Sequence, residues 1–398
     1  MKFKCQVLKV NNSLIYINFL RYWRLVLNFM LNLPNLNKSP KDTKIVVAMS
    51  GGVDSSVVAA LLKEAGYDVV GITLQLYDHG EALKKKGACC AGIDIMDAKQ
   101  IALKFDFPHY VLNYESLFRE NVIDNFVESY IQGETPIPCV KCNQSVKFKD
   151  LLELAKALGA DGLATGHYVQ KKIGKNGSEL HRAIDLGKDQ SYFLFATTKD
   201  QLDFLHFPLG GWTKEETRNQ ALKLGLQVAD KPDSQDICFV PNGDYAAVIA
   251  KIRPSAFKKG EIIHINGKIL GEHNGIINYT IGQRRGLGIS YPDPLFVIKI
   301  DAAKNQVIVG PETALQNQKF LIKDVNWLSK EIYNKEFNVS VKLRSAHRGD
   351  DAKILLKEDK TAIITMNAPT RAITPGQACV IYDEDRVLGG GWITRYIK

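Results

Sequence analysis

A strand that ends in a glycine-rich turn and opens a helix is the feature that most limits how this chain can fold. The apolar stretch Lys44–Met49 runs into Ser50-Gly51-Gly52-Val53-Asp54-Ser55, after which apolar residues recur at helical spacing until Gly66. Paired glycines let the backbone turn tightly with its N–H groups bare, and the start of the helix adds a positive dipole end. The segment therefore predicts a phosphate site at the carboxyl end of a strand.

This loop differs from the two commonest phosphate loops. The loop of P-loop NTPases ends in Gly-Lys-[Ser/Thr], and the dinucleotide fingerprint reads Gly-x-Gly-x-x-Gly. Neither pattern is present in residues 50–56. An ordinary glycine turn would explain Gly51 and Gly52, but it would not explain the serines and the aspartate around them.

Alternating strands and helices predict a doubly wound parallel α/β sheet from residue 44 to about residue 166. The predicted strands are residues 44–49, 68–76, 108–113 and 161–165, and the predicted helices are residues 53–65, 93–105, 116–132 and 146–158. Thr213 and Glu216 form a capping-box pattern at the start of a further helix over 213–224. After about residue 244, short alternating runs bounded by Gly, Pro and Asn predict a β-rich half.

The net charge of +9 is concentrated at one end of the chain. Residues 1–41 contain seven Lys and Arg residues and no acidic residue, so global basicity says little about RNA binding by the rest. Arg21 and Arg24 interrupt the apolar stretch 14–33, which makes it a poor membrane span and predicts no membrane association. We interpret residues 1–41 as a basic leader outside the fold, either an upstream extension before Met30 or, less favoured, an organelle import signal; the former predicts a cytoplasmic protein.

Two cysteine positions form a chemically suggestive pattern. The seven cysteines have no disulfide-framework spacing, but Cys139 and Cys142 form a Cys-x-x-Cys pair followed by Lys147. Such a pair fits half a zinc site, part of an iron-sulfur site, a redox pair or two incidental loop thiols. The nearby positive charges of Lys141 and Lys147 predict a stabilised, reactive thiolate.

Several motifs together resemble one group of enzymes. The loop over 50–55 is similar to the pyrophosphate loop of the PP-loop ATP pyrophosphatases, and from Lys44 onward the chain resembles the tRNA-specific 2-thiouridylases within that group. The further motifs that carry this resemblance cover residues 135–143, 165–168, 188–192, 236–239, 280–288, 374–377 and 388–391.

The resemblance implies a fold, a reaction and a set of site residues. It implies a PP-loop domain over 42–247, a central β-rich domain over 248–311 and a C-terminal tRNA-binding β-barrel over 312–398. It implies that ATP adenylates the C2 oxygen of the wobble uridine, that Cys142 is the nucleophile and Cys238 carries a persulfide, and that a Cys142–Cys238 disulfide closes the cycle. The ATP-binding positions that it implies are Ala48, Met49, Ser50, Gly51, Gly52, Val53, Asp54, Ser55, Leu74 and Gly166. The tRNA-binding positions are Ile137, Pro138, Cys139, His167, Lys188, Asp189, Gln190, Arg344, Ser345 and Gln377.

The implied cofactors and partners leave two mechanisms open, a persulfide relay and sulfur transfer through an iron-sulfur cluster. ATP and Mg²⁺ are expected, with Asp54 as a candidate Mg²⁺ ligand, and a sulfur-relay protein or cysteine desulfurase is the expected donor to a protein that is monomeric in solution. Many members of the family carry Asp where this chain has Cys139, so an acid–base role for that position does not transfer. Cys139, Cys142 and Cys238 are instead candidate ligands of an iron-sulfur cluster. A different PP-loop adenylating enzyme and a non-enzymatic cysteine-metal RNA-binding module are the alternative functions.

Overall fold

The fold has three parts, and its strands form three sheets. A computed structural model describes residues 31, 33–77, 91–233, 237–240, 243–330, 332–371 and 373–396. Cys5, Cys89, Cys90, Asp236 and most of the predicted leader lie outside these residues.

The strands pair into a five-stranded sheet, a four-stranded sheet and an eight-stranded sheet. In chain order they are β1 (Lys44–Ala48), β2 (Asp68–Gln75), β3 (His109–Asn113), β4 (Gly162–Thr165), β5 (Val169–Gly174), β6 (Gly177–Arg182), β7 (Leu205–His206), β8 (Gly260–His264), β9 (Ile269–His273), β10 (Phe296–Asp301), β11 (Gln306–Gly310), β12 (Asn317–Trp327), β13 (Glu336–Lys342), β14 (Asp350–Leu356), β15 (Ala362–Thr370), β16 (Ala378–Asp383) and β17 (Arg386–Tyr396).

Most of the helices lie in the first half of the described chain. The α-helices are α1 (Val53–Ala65), α2 (Ala91–Phe105), α3 (Glu115–Phe118), α4 (Asn125–Ile131), α5 (Pro138–Lys141), α6 (Leu151–Ala157), α7 (Ser191–Leu194), α8 (Lys199–Phe204), α9 (Lys214–Lys223) and α10 (Tyr245–Ile252). Wider π-helical turns, Arg119–Asp124 and Cys142–Asp150, join α3 to α4 and α5 to α6. The structure also describes four short 3₁₀ turns, namely Pro40–Asp42, Pro254–Ala256, Ile276–Asn278 and Glu312–Leu315.

The first domain is the predicted parallel α/β sheet. Its strand order is β3-β2-β1-β4-β7 with parallel pairing throughout, so β1 lies between β2 and β4. Ile45 and Val47 of β1 belong to the apolar cluster that contains α1, whereas Val46 belongs to the cluster that contains α6. Both faces are therefore covered, which explains why this strand is continuously apolar.

The β-rich half that the alternating pattern predicts divides into two sheets, as the resemblance implies. The central sheet has the order β10-β11-β8-β9. The six strands β12 to β17 close into an antiparallel barrel because β12 pairs with both β15 and β17. The fold class predicted from the sequence is confirmed.

One hairpin of the first domain was not predicted and extends the barrel sheet. Strands β5 and β6 form a hairpin, and His181 of β6 pairs with Arg386 of β17. The backbone N–H of Arg182 also donates to the Asp385 carbonyl at 2.8 Å. The first domain and the barrel therefore share a continuous sheet.

The end of the predicted leader packs on the first domain. Leu31 is fully buried in the cluster around α1, and Leu33 and Leu36 pack against that cluster. Lys38 also forms an ion pair with Asp161 at 2.6 Å. For these residues the expectation of a segment outside the fold is wrong, because their leucines cover apolar surface of the first domain; residues 1–30 lie outside the described chain.

One local prediction also changes. The helix predicted from residue 146 begins at Pro138, with proline at a helix-start position that tolerates its missing N–H. The glycines 389–391, which belong to the last motif of the resemblance, lie inside β17. A side chain at Gly390 would lie 2.7 Å from the Phe195 ring, so this close packing requires glycine. Within the described residues, no helix is long and apolar enough to cross a membrane.

Candidate active site

The glycine-serine loop forms the turn that the sequence predicts. It connects the carboxyl end of β1 to α1, and Gly51 adopts φ +72°, in the left-handed region. A Cβ on Gly51 would lie 2.2 Å from the Asp94 carbonyl oxygen of α2, so both conformation and space require glycine there. The Ser55 hydroxyl accepts from the Ser50 N–H at 3.1 Å and thereby closes the loop across its mouth.

The other predicted ATP-binding positions surround this loop. Ala48 and Met49 end β1 and lead into it, and Leu74 lies near the end of the neighbouring strand β2. Gly166 follows β4 on the other side, and a Cβ there would lie 2.8 Å from the Ser55 nitrogen. The predicted set is thus brought together at the carboxyl edge of three adjacent parallel strands, where ligands bind in such sheets.

Asp54 is held by a cation rather than left open. The Lys214 ammonium lies 2.7 and 2.8 Å from the two Asp54 carboxylate oxygens, and the Tyr168 hydroxyl donates to one of them at 2.9 Å. Lys214 also contacts Asp233 at 2.9 Å, and Asp233 pairs with Lys188 at 2.8 Å. Burial favours a higher pKa for Asp233, but the hydrogen bonds from Lys188 and Lys214 outweigh it and hold the pKa at about 2. The carboxylates therefore position cations beside the loop.

Lys231 fixes the other side of the loop. Its ammonium donates to the Gly51 carbonyl at 2.9 Å and lies 2.5 and 2.7 Å from the carboxylates of Asp94 and Asp97 on α2. Lys231 thereby ties the loop to α2. Lys214 and Lys231 were not among the predicted site residues. Two features of the sequence could have identified them: Lys214 directly follows a capping threonine, and Lys231 lies shortly before the Cys238 motif.

The two predicted catalytic cysteines lie in one part of this edge. Cys142 is buried in a small cluster with Phe118, and Leu74 of β2 and Phe239 pack against that cluster. The Tyr77 hydroxyl, at the end of the segment after β2, donates to the Cys238 carbonyl at 2.9 Å. The structure therefore brings Cys142 and the Cys238 segment together beside the end of β2. Tyr77 is a further contact that the sequence analysis missed.

The charges around the thiols do not act as predicted. The Lys141 ammonium lies 5.0 Å from the centre of the Trp392 ring of the barrel. Burial raises the pKa of the Cys142 thiol, and desolvation by surrounding protein atoms raises that of Cys139 although this residue is accessible at the surface; the Lys147 charge offsets both effects only in part. Desolvation also raises the pKa of the accessible Cys238 thiol, with smaller contributions from Cys142 and Cys139. The prediction that nearby lysines stabilise a thiolate is therefore wrong, because desolvation raises the thiol pKa values more than the Lys147 charge lowers them.

Several predicted tRNA-binding side chains lie inside the protein. Ile137 and Pro138 are buried, and the Asp189 side chain is 2% exposed, where it accepts from the Ser191 hydroxyl at 2.8 Å. The Gln377 amide donates to the Thr135 carbonyl at 2.8 Å and so joins the barrel to the segment before α5. Asp189 and Gln377 have structural roles here because their polar atoms already have partners.

Other predicted tRNA-binding positions border the loop or the surface. The Gln190 side chain accepts from the Tyr168 N–H at 2.9 Å, and Lys188 pairs with Asp233 as described. His167 bonds to the Thr165 hydroxyl at 2.8 Å, and burial, followed by the Lys147 charge, lowers its pKa to about 3. Its imidazole is therefore neutral at physiological pH.

An arginine-rich surface lies across the two β-rich domains. Arg344 and Ser345 are exposed on the barrel, and the Arg344 guanidinium lies 3.9 Å from the position of a Cβ on Gly282. That glycine opens the loop that carries Arg284 and Arg285, both exposed. Among the described residues, no carboxylate forms an ion pair with any of these three arginines. This surface, which we call the arginine face (Arg284, Arg285 and Arg344), suits phosphate binding.

The described residues do not present an assembled metal site. No group of three or more His, Cys, Asp or Glu side chains among them is placed to hold a metal ion. Cys139, Cys142 and Cys238 interact electrostatically but are not arranged as cluster ligands, and both Asp54 oxygens are taken by Lys214. As arranged, these residues therefore fit neither an iron-sulfur cluster nor a Mg²⁺ ion held by Asp54.

The sheet and its loop define an α/β protein of the PP-loop class. Three domain families match in order: "tRNA methyl transferase HUP domain" over residues 43–242, "tRNA methyl transferase PRC-barrel domain" over 247–311 and "Aminomethyltransferase beta-barrel domain" over 317–393. The chain belongs to the family of tRNA-specific 2-thiouridylases, MnmA, which confirms the predicted resemblance.

The curated relatives match nearly the whole chain. The tRNA-specific 2-thiouridylase MnmA of Rickettsia canadensis (strain McKiel) is 64% identical over 91% of this chain and 99% of its own length. That of Rickettsia conorii (strain ATCC VR-613 / Malish 7) is 62% identical over 93% of this chain and 100% of its own. Among solved structures, the U34-tRNA thiolase NcsA from Methanococcus maripaludis with its [4Fe-4S] cluster is 18% identical, with a TM-score of 0.36 over 60% of this chain and 72% of its own. A likeness that weak has no bearing on the site.

Proposed function

We propose that this chain catalyses the ATP-dependent 2-thiolation of the wobble uridine of tRNA. The observation that carries the proposal is the meeting of a phosphate-type loop and two thiols at one edge of one sheet. The loop follows β1, and Leu74 of the adjacent strand β2 packs against the cluster that contains Cys142. An activating nucleotide and an attacking sulfur would therefore reach the same substrate atom.

The loop would serve the activation step. A uracil C2 oxygen is a poor leaving group, and transfer of AMP onto it, with release of pyrophosphate, makes it a good one. The N–H groups of residues 51–53 at the start of α1 would bind the phosphates, while the cations Lys214 and Lys231 beside the loop add positive charge. Mg²⁺ would arrive with the phosphates of ATP, because Asp54 is held by Lys214.

The thiols would serve the sulfur step. A persulfide on Cys238 supplies its outer sulfur to C2, and AMP leaves with the original oxygen. Cys142 attacks the inner sulfur of Cys238, so the S–S bond to the transferred sulfur breaks and a Cys142–Cys238 disulfide forms. The transferred sulfur gains the two electrons that the two thiols lose, so the step is balanced. Release of the same sulfur as hydrosulfide by Cys142 before attack on C2 has the same balance.

The arginine face would bind the RNA backbone. Its three guanidinium groups are exposed on the two β-rich domains, whereas Asp189, Ile137 and Pro138 are not available as side-chain contacts. The sulfur would come from a relay protein or a cysteine desulfurase. We further propose that the protein acts as a cytoplasmic monomer, with residues 42–247, 248–311 and 312–398 as its three domains.

The test is nucleoside analysis of tRNA after incubation with the protein, ATP, Mg²⁺ and a persulfide donor. We expect 2-thiouridine and AMP in equal amounts with the unmodified protein, and loss of 2-thiouridine by at least a hundredfold in Cys142→Ser and Cys238→Ser. Cys379→Ala is the matched control, since Cys379 is a buried thiol in the barrel core. Full activity of both serine variants would instead favour another PP-loop adenylating enzyme, and no tRNA-dependent AMP would favour a non-enzymatic RNA-binding module.

A further inference from the structure

We propose that Cys139 is a resolving thiol that transfers the disulfide away from Cys238. After sulfur transfer it attacks Cys142 in the Cys142–Cys238 disulfide, which forms a Cys139–Cys142 disulfide and frees Cys238 for the next persulfide. This inference rests on the proposed function and extends it to a third cysteine.

The helix start brings Cys139 and Cys142 within disulfide range. The Cys142 N–H donates to the carbonyls of Cys139 and Pro138, so the two cysteines lie on consecutive turns of one helix. Residues three apart on an α-helix have Cα atoms about 5 Å apart. Disulfides accept Cα separations of roughly 4.4–6.8 Å. The pair can therefore bond without moving the helix as a whole.

Cys238 belongs to the same neighbourhood. Its neighbour Phe239 packs against the cluster that contains Cys142 and makes an edge-to-face contact with Phe118 at 5.8 Å. The Tyr77 hydroxyl holds the Cys238 carbonyl at 2.9 Å. Cys142 and Cys139 each influence the ionisation of the Cys238 thiol, which agrees with their proximity. Cys142 is thus the sulfur that both other thiols can approach.

Exposure makes both ends of the exchange accessible. Cys142 is 8% exposed, whereas Cys139 and Cys238 are both exposed at the protein surface. A disulfide between Cys139 and Cys142 presents the Cys139 sulfur to an external thiol and leaves the exposed Cys238 thiol free to accept the next sulfur. The exchange would therefore separate the reduction of the enzyme from its reloading with sulfur.

The exchange balances without an oxidant. The Cys139 thiolate attacks the Cys142 sulfur, the Cys142–Cys238 bond breaks, and Cys238 leaves as a thiolate that takes up the proton lost by Cys139. No net oxidation occurs in this step. A dithiol, either a small molecule or a redox protein, later reduces the Cys139–Cys142 bond and is itself oxidised to a disulfide.

The experiment follows the disulfide after one turnover. Reduced protein is loaded with a persulfide by a cysteine desulfurase and cysteine, desalted, and mixed with ATP, Mg²⁺ and tRNA without reductant. The reaction is quenched in acid, free thiols are alkylated, and the disulfide is located by peptide mass spectrometry. We expect a Cys139–Cys142 bond with an alkylated Cys238 in the unmodified protein, and a Cys142–Cys238 bond in Cys139→Ser.

Kinetics give a second readout. With a limiting dithiol, the loss of steady-state rate in Cys139→Ser should exceed its loss of single-turnover rate at least fivefold. Cys139→Asp, which keeps the helix start favourable because it adds a negative charge there, should behave in the same way. Cys379→Ala controls for the removal of a thiol outside the site.

The outcomes separate this inference from the proposed function. Formation of 2-thiouridine with only a Cys142–Cys238 bond in the unmodified protein would overturn the role of Cys139 and leave the proposed function intact. An equal loss of the steady-state and single-turnover rates in Cys139→Ser would also overturn the role of Cys139. Failure to form any 2-thiouridine would overturn the proposed function, and the role of Cys139 with it.

Discussion

At the residue scale, the loop depends on the absence of one side chain. Gly51 combines φ +72° with contact to the backbone of Asp94, whereas Gly52 has φ −88° and its Cβ position lies 3.5 Å from the Ser50 hydroxyl. Gly51→Ala should lower the free energy of unfolding by about 1–3 kcal/mol because the new methyl group meets backbone in a strained conformation. It should also reduce tRNA-dependent AMP formation at least tenfold; urea unfolding and an AMP assay measure the two effects.

Gly52→Ala is the matched control for this prediction. Its backbone conformation suits alanine, so the free energy of unfolding should change by less than about 0.5 kcal/mol. If the two alanine variants lose equal stability, the fit of Gly51 against α2 is not what shapes the loop.

At the element scale, helix α9 presents cations to the loop. Its first residue is Lys214, and Thr213 and Glu216 form a complete capping box in which each side chain bonds the other residue's backbone. Thr213→Ala should cost about 1 kcal/mol of stability, as N-cap losses generally do. It should also raise the KM for ATP several-fold, because Lys214 then holds Asp54 less firmly.

Thr198 allows the two effects to be separated. It caps α8 with the same capping box through Gln201, and none of its bonds reaches the loop. Thr198→Ala should lose similar stability in a denaturation experiment and keep its KM for ATP. An equal rise in KM for both variants would contradict the role given to α9.

Sequence reasoning succeeded where one element decides its own structure. The buried strand β1, the capped helix α9 and the β-rich character of the chain after residue 244 were all predicted, because periodicity and capping are local signals. The hairpin of β5 and β6 was missed since its stability comes partly from pairing with β17, more than 200 residues later. The direction of the cysteine pKa shifts was also missed, because desolvation depends on packing that the sequence does not reveal.

At the scale of the whole molecule, buried histidines predict acid sensitivity. Burial lowers the pKa of His167 to about 3 and that of His206 well below its ordinary value. Both imidazoles are therefore neutral in the folded protein, whereas those of the unfolded chain take up protons below about pH 6.5. Stability is fully present above that pH and falls as the pH drops from about 6.5 towards 3.

Urea unfolding at pH 7.5 and pH 5.0 measures this effect. We expect a loss of about 1–2 kcal/mol for each buried imidazole at pH 5.0. His206→Leu should show a smaller loss between the two pH values. Asp233 does not interfere, because its pKa of about 2 means that its contribution is lost only below about pH 4. An unchanged pH dependence in His206→Leu would exclude His206 as a cause.

The arginine face predicts how tRNA binding responds to salt. Each phosphate contact that is removed should reduce the slope of log affinity against log salt concentration by roughly one. Arg285→Ala and Arg344→Ala should each show this change, measured by filter binding over a salt series. Arg371→Ala is the control, since that guanidinium pairs with Glu312. An unaltered slope in both face variants would place the RNA elsewhere.

The sheet shared by the first domain and the barrel has a consequence for synthesis on the ribosome. Arg182 lies over the Tyr382 ring at 4.1 Å, Lys141 faces Trp392, and Asp189 lies 3.7 Å from Lys342. The amino-terminal residue of each pair is synthesised well over a hundred residues before its partner leaves the ribosome. The nascent first domain must therefore stay soluble with these charges uncovered, and only the last strand to leave the tunnel completes its surface.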